Sequence, residues 1–268
     1  MKRNTQLFIF FLLGILFSTH HHATDLALAT DTSSPHTTQS KKLILFGIKD
    51  VLFFPDLSKV PGGKLTALFG LRPEVVEREF FDTLRSLHVN GLRGYTGTYP
   101  ELIEAWLTNQ MSNQDVQKYA LHHIKRHCGL FKKTRLKITA EYAFSPYDSA
   151  KVLSVNRAIF SLAQNCKSKG HSIALCSSWN SDSFNAAKQM YPSIFGLFDT
   201  FYTSGDCGML ACESRFYEPL LKNYKAEDIY LIDFRQENLA AAKQKGIKTI
   251  YCADALSLEH ELREQGIL

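Results

Sequence analysis

The stretch KLILFGIKDVLF, residues 42–53, decides how this chain is read. After Lys42 it is a short apolar run, the pattern of a strand buried on both faces. Such a strand needs neighbours on either side, and the sequence offers them further on. Residues 172–176 (SIALC), 199–203 (DTFYT), 229–232 (IYLI) and 248–251 (KTIY) read as four more strands. Helical patterns lie between them at 182–190, 214–223 and 236–245, with Gly246 closing the last. A longer helical pattern runs from about 151 to 169 and closes at Gly170. Strands alternating with helices argue for an α/β fold whose parallel sheet is covered on both faces. Ligands of such sheets bind beyond the carboxyl ends of the strands.

Residues 57–149 break that rhythm, with helical signals and little strand. Pro73 opens PEVVEREFFDTLRSLH, whose Val75, Val76, Phe80, Leu84 and Leu87 share a face. Pro100 opens PELIEAWL. Ser112 is an expected N-cap, with Asp115 as the capping-box acid. The expected organisation is a core of 41–56 and 150–268, with 57–149 as a helical cap inserted after the first strand.

The N-terminus reads as a secretory signal at 1–29: basic Lys2 and Arg3, an eleven-residue apolar run at 7–17, then small residues at 27–29. Eleven residues at 1.5 Å each fall short of a hydrocarbon core of ~30 Å, so no stable transmembrane anchor is expected there. Export to the periplasm or beyond is the expectation, and 30–40 (TDTSSPHTTQS) reads as a flexible linker. With 45% hydrophobic, 12% aromatic and 21% charged residues, the 268-residue chain is neither a disordered polymer nor a multispan membrane protein. A net charge of +5, or +4 after loss of Lys2, Arg3 and Asp25, gives no case for nucleic acid as a partner. Six cysteines lack CxxC or zinc spacing and read as small buried hydrophobes, although Cys207 and Cys212 are near enough to bridge. His123 and His127, four apart on a helix, read as a solvated face rather than a metal site.

Four segments, in order and spanning 43–252, resemble the haloacid dehalogenase (HAD) superfamily. Its first motif, often FDxDGVLF, stands here as Phe46-Gly47-Ile48-Lys49-Asp50-Val51-Leu52-Phe53. Its second, a strand ending in Ser or Thr, stands as Leu175-Cys176-Ser177-Ser178-Trp179-Asn180. Its third, a Lys in a KPDPxIY-like stretch, falls at Ala211-Cys212-Glu213-Ser214-Arg215-Phe216-Tyr217. Its fourth, IDDRxEN before a helix, is Ile232-Asp233-Phe234-Arg235-Gln236-Glu237-Asn238. The resemblance implies a Rossmannoid three-layer core with a helical cap. It also implies a hydrolase chemistry in which a first-motif Asp attacks phosphorus or carbon and a second Asp serves as acid and base. Ser or Thr and Lys would hold the anion. Fourth-motif acids would bind Mg²⁺ with the nucleophile.

This chain has lost much of that chemistry. The nucleophile position is Gly47, the acid/base position Lys49, the anion-holding lysine Ala211 and the second acid of the fourth motif Phe234. Ser177 and Asp233 are retained, and Ser177 with Ser178 remains a candidate anion site beside the following helix. Asp233 alone is a weak metal ligand. Losing a covalent nucleophile costs on the order of 10⁴–10⁶ in rate. The expectation is therefore a pseudoenzyme with no required cofactor, which binds a small anionic ligand or a protein partner. The alternative is a hydrolase with a non-standard site that uses Mg²⁺, with Asp50 as substitute nucleophile. Strand alternation argues against Asp50, because an offset of three from Gly47 points to the opposite face. Lys49 has two readings: an ammonium filling the vacated cation position beside Asp233, or a side chain in solvent.

Overall fold

The computed structural model describes residues 41–56, 59 and 73–268. The expected signal at 1–29, the linker at 30–40 and part of the expected cap lie outside the described residues. Five parallel strands form the central sheet in the order β5-β4-β1-β6-β7: β1 (Leu43–Gly47), β4 (Ser172–Ser177), β5 (Thr200–Thr203), β6 (Ile229–Asp233) and β7 (Lys248–Tyr251). All five residues of β1 are buried, as its run of apolar residues predicts. Alternation then divides it between two cores. Ile44, Phe46, Ile173, Leu175 and Ile232 pack on one face, Leu43, Leu45, Ala174, Cys176 and Leu231 on the other. Helices cover both faces, which completes the α/β architecture.

The helices start where short polar side chains take up free backbone N–H groups. Asn156 caps the helix Arg157–Ser168, Asn180 caps Ser181–Met190 and Asp254 caps Ala255–Glu264. Asn156 also corrects the expected helix at 151–169. Leu153–Val155 is a strand, β3, paired antiparallel with β2 (Phe53–Pro55), and helix begins only after it. Between β2 and β3 the described chain is helical: Pro73–Leu84, Glu101–Leu107, Asn113–His127, Leu130–Ala143 and Pro146–Lys151. Ser112 accepts from Asp115 N–H at 3.1 Å, as its position predicts. This insertion has its own core of Val76, Phe80, Leu102, Trp106, Ile124, Leu136 and Phe144, and Leu210 from the sheet unit enters it.

His171 ties the sheet to the C-terminus. Its Nδ1 accepts from Lys42 N–H at 3.3 Å, and its Nε2 donates to the Ile267 carbonyl at 3.2 Å. Only the neutral ring satisfies both partners. Burial holds its pKa below the usual 6.5, against the Ile267 hydrogen bond, and the Lys42 charge adds to the depression. A folded pKa below the unfolded one contributes stability above 6.5, which is lost as pH falls through the folded value. In urea melts from pH 7 down to pH 5, the stability lost by His171→Ala should therefore shrink as the wild type loses this contribution. A difference constant across that range would contradict the assignment.

Candidate functional site

Register brings the retained and lost motif positions together. Phe46 pairs with Ile232 and Gly47 with Cys176, so the carboxyl ends of β1, β4 and β6 set Gly47 between Ser177 and Asp233. A side chain at Gly47 would point at Asp233. Its Cβ would lie 3.1 Å from Asp233 Oδ2, 3.1 Å from Val51 Cγ2 and 3.3 Å from the Ile232 carbonyl. A Cβ there would need its neighbours to give by a few tenths of an ångström.

Asp233 is 4% exposed. Arg235 N–H donates to its Oδ1 at 2.7 Å and Asn238 Nδ2 to its Oδ2 at 3.0 Å. Burial pushes its carboxyl up to about 6. The two hydrogen bonds oppose that rise, and the neighbouring Asp50 charge adds to it.

Asp50 faces this site, contrary to the alternation argument. Strand geometry ends at Gly47. Residues 48–52 then form a hydrogen-bonded turn, with Leu52 and Phe53 N–H donating to the Ile48 carbonyl. Asp50 sits in it at φ 64°, the left-handed conformation at the position where the family motif has Gly. Its carboxyl is raised by burial, against the charges of Lys49 and Arg235.

The ammonium of Lys49 is buried, so the solvent-facing reading fails. It lines the same small cavity as Asp50, Ser177, Ser178, Asp233 and Arg235. Its charge acts on Asp50, whereas Asp233 takes its hydrogen bonds from Arg235 and Asn238. The cavity has a volume of about 20 Å³, room for roughly one water.

Two further candidates, Ala211 and Phe234, lie outside the cavity lining, and Ser178 at its edge is engaged by a neighbouring loop. Ala211 is fully buried in the second sheet core, its carbonyl accepting from Tyr217 Oη at 2.9 Å. Ser178 Oγ accepts from Ala211 N–H at 3.0 Å, so it braces that loop. Phe234 stacks on Tyr251, with ring centroids 6.1 Å apart. Ser177 lines the cavity. Cys207 and Cys212 are free thiols, as are the other four cysteines.

Sequence reasoning missed the seam between insertion and sheet. Asn109, at φ 56°, donates to Ser181 Oγ at 2.7 Å and accepts from Ser181 N–H at 3.2 Å. Asn113 Nδ2 donates to Asp182 Oδ2 at 2.5 Å. Arg235 lies over the Tyr99 ring at 5.3 Å. The motif-four arginine thus joins the site to the insertion above it. Nothing in the local pattern around Asn109 signals this role, because its partner is 72 residues away.

Solved structures share this architecture. A HAD-family enzyme from Bacteroides thetaiotaomicron superposes with a TM-score of 0.54 at 12% identity, over 83% of this chain and 99% of that one. The L-2-haloacid dehalogenase of Xanthobacter autotrophicus, with chloropropionic acid covalently bound, gives 0.52 at 12% identity, over 85% of this chain and 84% of that one. A predicted HAD-like family hydrolase from Porphyromonas gingivalis gives 0.50 at 16% identity, over 84% of this chain and 99% of that one. No family model and no curated protein matches the chain. The protein has the fold of the HAD-like hydrolases.

That fold implies Mg²⁺, and the residues do not fit it. A hard divalent cation wants several oxygen ligands. Among the described residues, no group of three His, Cys, Asp or Glu is placed to hold a metal. The two carboxylates present share their cavity with Lys49 and Arg235.

Proposed function

We propose that the chain is a catalytically inactive protein on a HAD-like hydrolase fold, exported through its N-terminal segment, whose role is binding. The observation that carries this reading is Gly47. The nucleophile position has no side chain, and Asp233, Val51 and Ile232 crowd the space one would need. Covalent catalysis by the family route has no attacking atom there. The inward Lys49 supports the same reading, since an ammonium stands where the mechanism needs a carboxylate.

A cavity for about one water does not admit a substrate. A larger groove of about 730 Å³ lies between the insertion and the sheet unit, lined by Arg93, Asn109, Gln110, Glu213 and Arg215 among others. Its size is that of a small-molecule site. Arg215 is paired with Glu213 at 3.3 Å, which leaves Arg93 as the guanidinium through which the groove would take an anionic ligand. Gln110 shapes one wall, exchanging hydrogen bonds of 2.8 Å with both the N–H and the carbonyl of Arg93.

Thermal melts with Mg²⁺ test the reading. A ligand at 100 times its Kd stabilises by about 2.7 kcal/mol, so a working metal site would move Tm by degrees. We expect millimolar Mg²⁺, with or without inorganic phosphate, to leave Tm unchanged. A rise of several degrees that Asp233→Ala removes would overturn the reading.

The second reading is a hydrolase with Asp50 as its nucleophile. What favours it is that Asp50 lines the same cavity as Asp233 and Ser177. Loss of turnover in Asp50→Asn would support it.

A further inference from the structure

The corner between the helices Asn113–His127 and Leu130–Ala143 carries exposure and charge that the fold does not use. It reads KRHCGLFKK, residues 125–133. Leu130 and Phe131 are 73% and 75% exposed, while Leu136 and Phe144 on the same stretch of chain are enclosed. Among the described large apolar residues only Leu256 is more exposed. Two adjacent apolar side chains projecting this far form an exposed apolar pair that the fold leaves uncovered.

Basic residues bracket the pair. Lys125 and Arg126 precede it, and Lys132 and Lys133 follow. The described ion pairs of the region take up Arg135 with Glu79 and Lys137 with Glu141, and leave these four aside. Residues 113–143 hold seven Lys and Arg against Asp115 and Glu141, an excess of +5. The whole chain has the same excess, so the remainder is neutral. The protein's net charge is concentrated here.

Helix electrostatics account for only half of it. Lys125 and Arg126 lie in the last turn of their helix, where the partial negative charge favours cations. Lys132 and Lys133 lie in the first turn of the next, where the partial positive charge disfavours them. That turn has no acid, and Gly129 gives it no side-chain cap. The two lysines therefore weaken the helix they begin.

An exposed apolar pair flanked along the chain by cations matches a surface that is anionic outside and apolar beneath. We infer that this corner docks on an anionic phospholipid surface. Leu130 and Phe131 enter the acyl boundary, and Lys125, Arg126, Lys132 and Lys133 meet the headgroups. The contact is peripheral, since no described helix is long and apolar enough to cross a membrane. Charge alone would suit nucleic acid equally, but the projecting Leu-Phe pair has no use against a phosphate backbone. None of these residues lines the candidate site, so this inference and the proposed function stand or fall separately.

Co-sedimentation of the full chain tests it. Vesicles of phosphatidylcholine alone are compared with vesicles carrying roughly one third phosphatidylglycerol. We expect binding to the anionic vesicles only, weakened by high salt. Leu130→Ser with Phe131→Ser, and separately Lys132→Glu with Lys133→Glu, should each weaken it about tenfold or more. These side chains are outside the core, and unchanged circular dichroism would show that both variants fold. Binding unaffected by either variant would overturn the inference, as would no binding to either vesicle. Two other outcomes would also overturn it. One is preferential binding of a duplex DNA probe that survives loss of Leu130 and Phe131. The other is a dimer in solution that the Leu130 and Phe131 variant dissolves, which would make the corner a contact between two copies.

Discussion

Gly47→Asp should destabilise the protein by about 1–3 kcal/mol without creating a hydrolase. Two effects act together. The new Cβ falls 3.1 Å from both Asp233 Oδ2 and Val51 Cγ2, closer than ordinary packing, so a neighbour must move. The new carboxylate then faces a buried carboxyl already raised to about 6. Repulsion follows the ionisation of Asp233. It is absent when both groups are protonated and grows as pH rises through that value, so the destabilisation should be larger at pH 8 than at pH 5. Gly47→Ala separates the terms, because it keeps the crowding and lacks the charge. Its cost should be smaller and flat with pH. No turnover is expected from Gly47→Asp, since Lys49 still occupies the acid/base position and Ala211 still replaces the lysine. Urea melts at the two pH values and an aryl phosphate assay measure both parts. A stable variant that hydrolyses the ester would show that the loss of one side chain, rather than of a whole site, had silenced the enzyme.

The second large effect belongs to the seam. Gly205→Ala should cost about 3 kcal/mol, at the upper end for overpacking. Its Cβ would stand 2.4 Å from Ser181 N and 2.6 Å from Ser181 Oγ. A backbone nitrogen cannot rotate away, so the helix Ser181–Met190 must shift as a body. That shift strains Ser181 Oγ donating to Asp206 at 2.9 Å and both hydrogen bonds between Ser181 and Asn109. Asn109→Ala loses only those last two, and should cost roughly 1 kcal/mol. Equal costs for the two variants would mean that the close approach at Gly205 relaxes freely.

Much of this was legible in the chain, for identifiable reasons. Strands β1, β4 and β6 are buried on both faces, so they appear as unbroken apolar runs and their places could be read directly. Ser112 and Asp115 announce a helix start because capping is local chemistry. β3 was hidden because it is only three residues long, too short for its period-two spacing to stand out before the helix that follows. Only pairing with Phe53 and Pro55, about 100 residues earlier, makes it strand. Asp50 was misplaced because the alternation rule was carried past Gly47, where the backbone has already turned. The departures at Gly47, Lys49, Ala211 and Phe234 were read from the resemblance to the family pattern. Their consequences were not. That Phe234 turns to Tyr251, that Ser178 braces Ala211, and that Lys49 points inward are products of tertiary packing. The two hydrogen bonds between Asn109 and Ser181 and the Arg235 contact with Tyr99 are long-range in the same sense.

The account turns on whether any chemistry remains at the end of β1. The direct measurement is hydrolysis of an aryl phosphate by the purified chain with Mg²⁺, beside Asp233→Ala and Asp50→Asn. The account predicts no turnover above that of Asp233→Ala, and no difference for Asp50→Asn. Turnover that both substitutions abolish would contradict it, and would make Asp50 the nucleophile of a working enzyme.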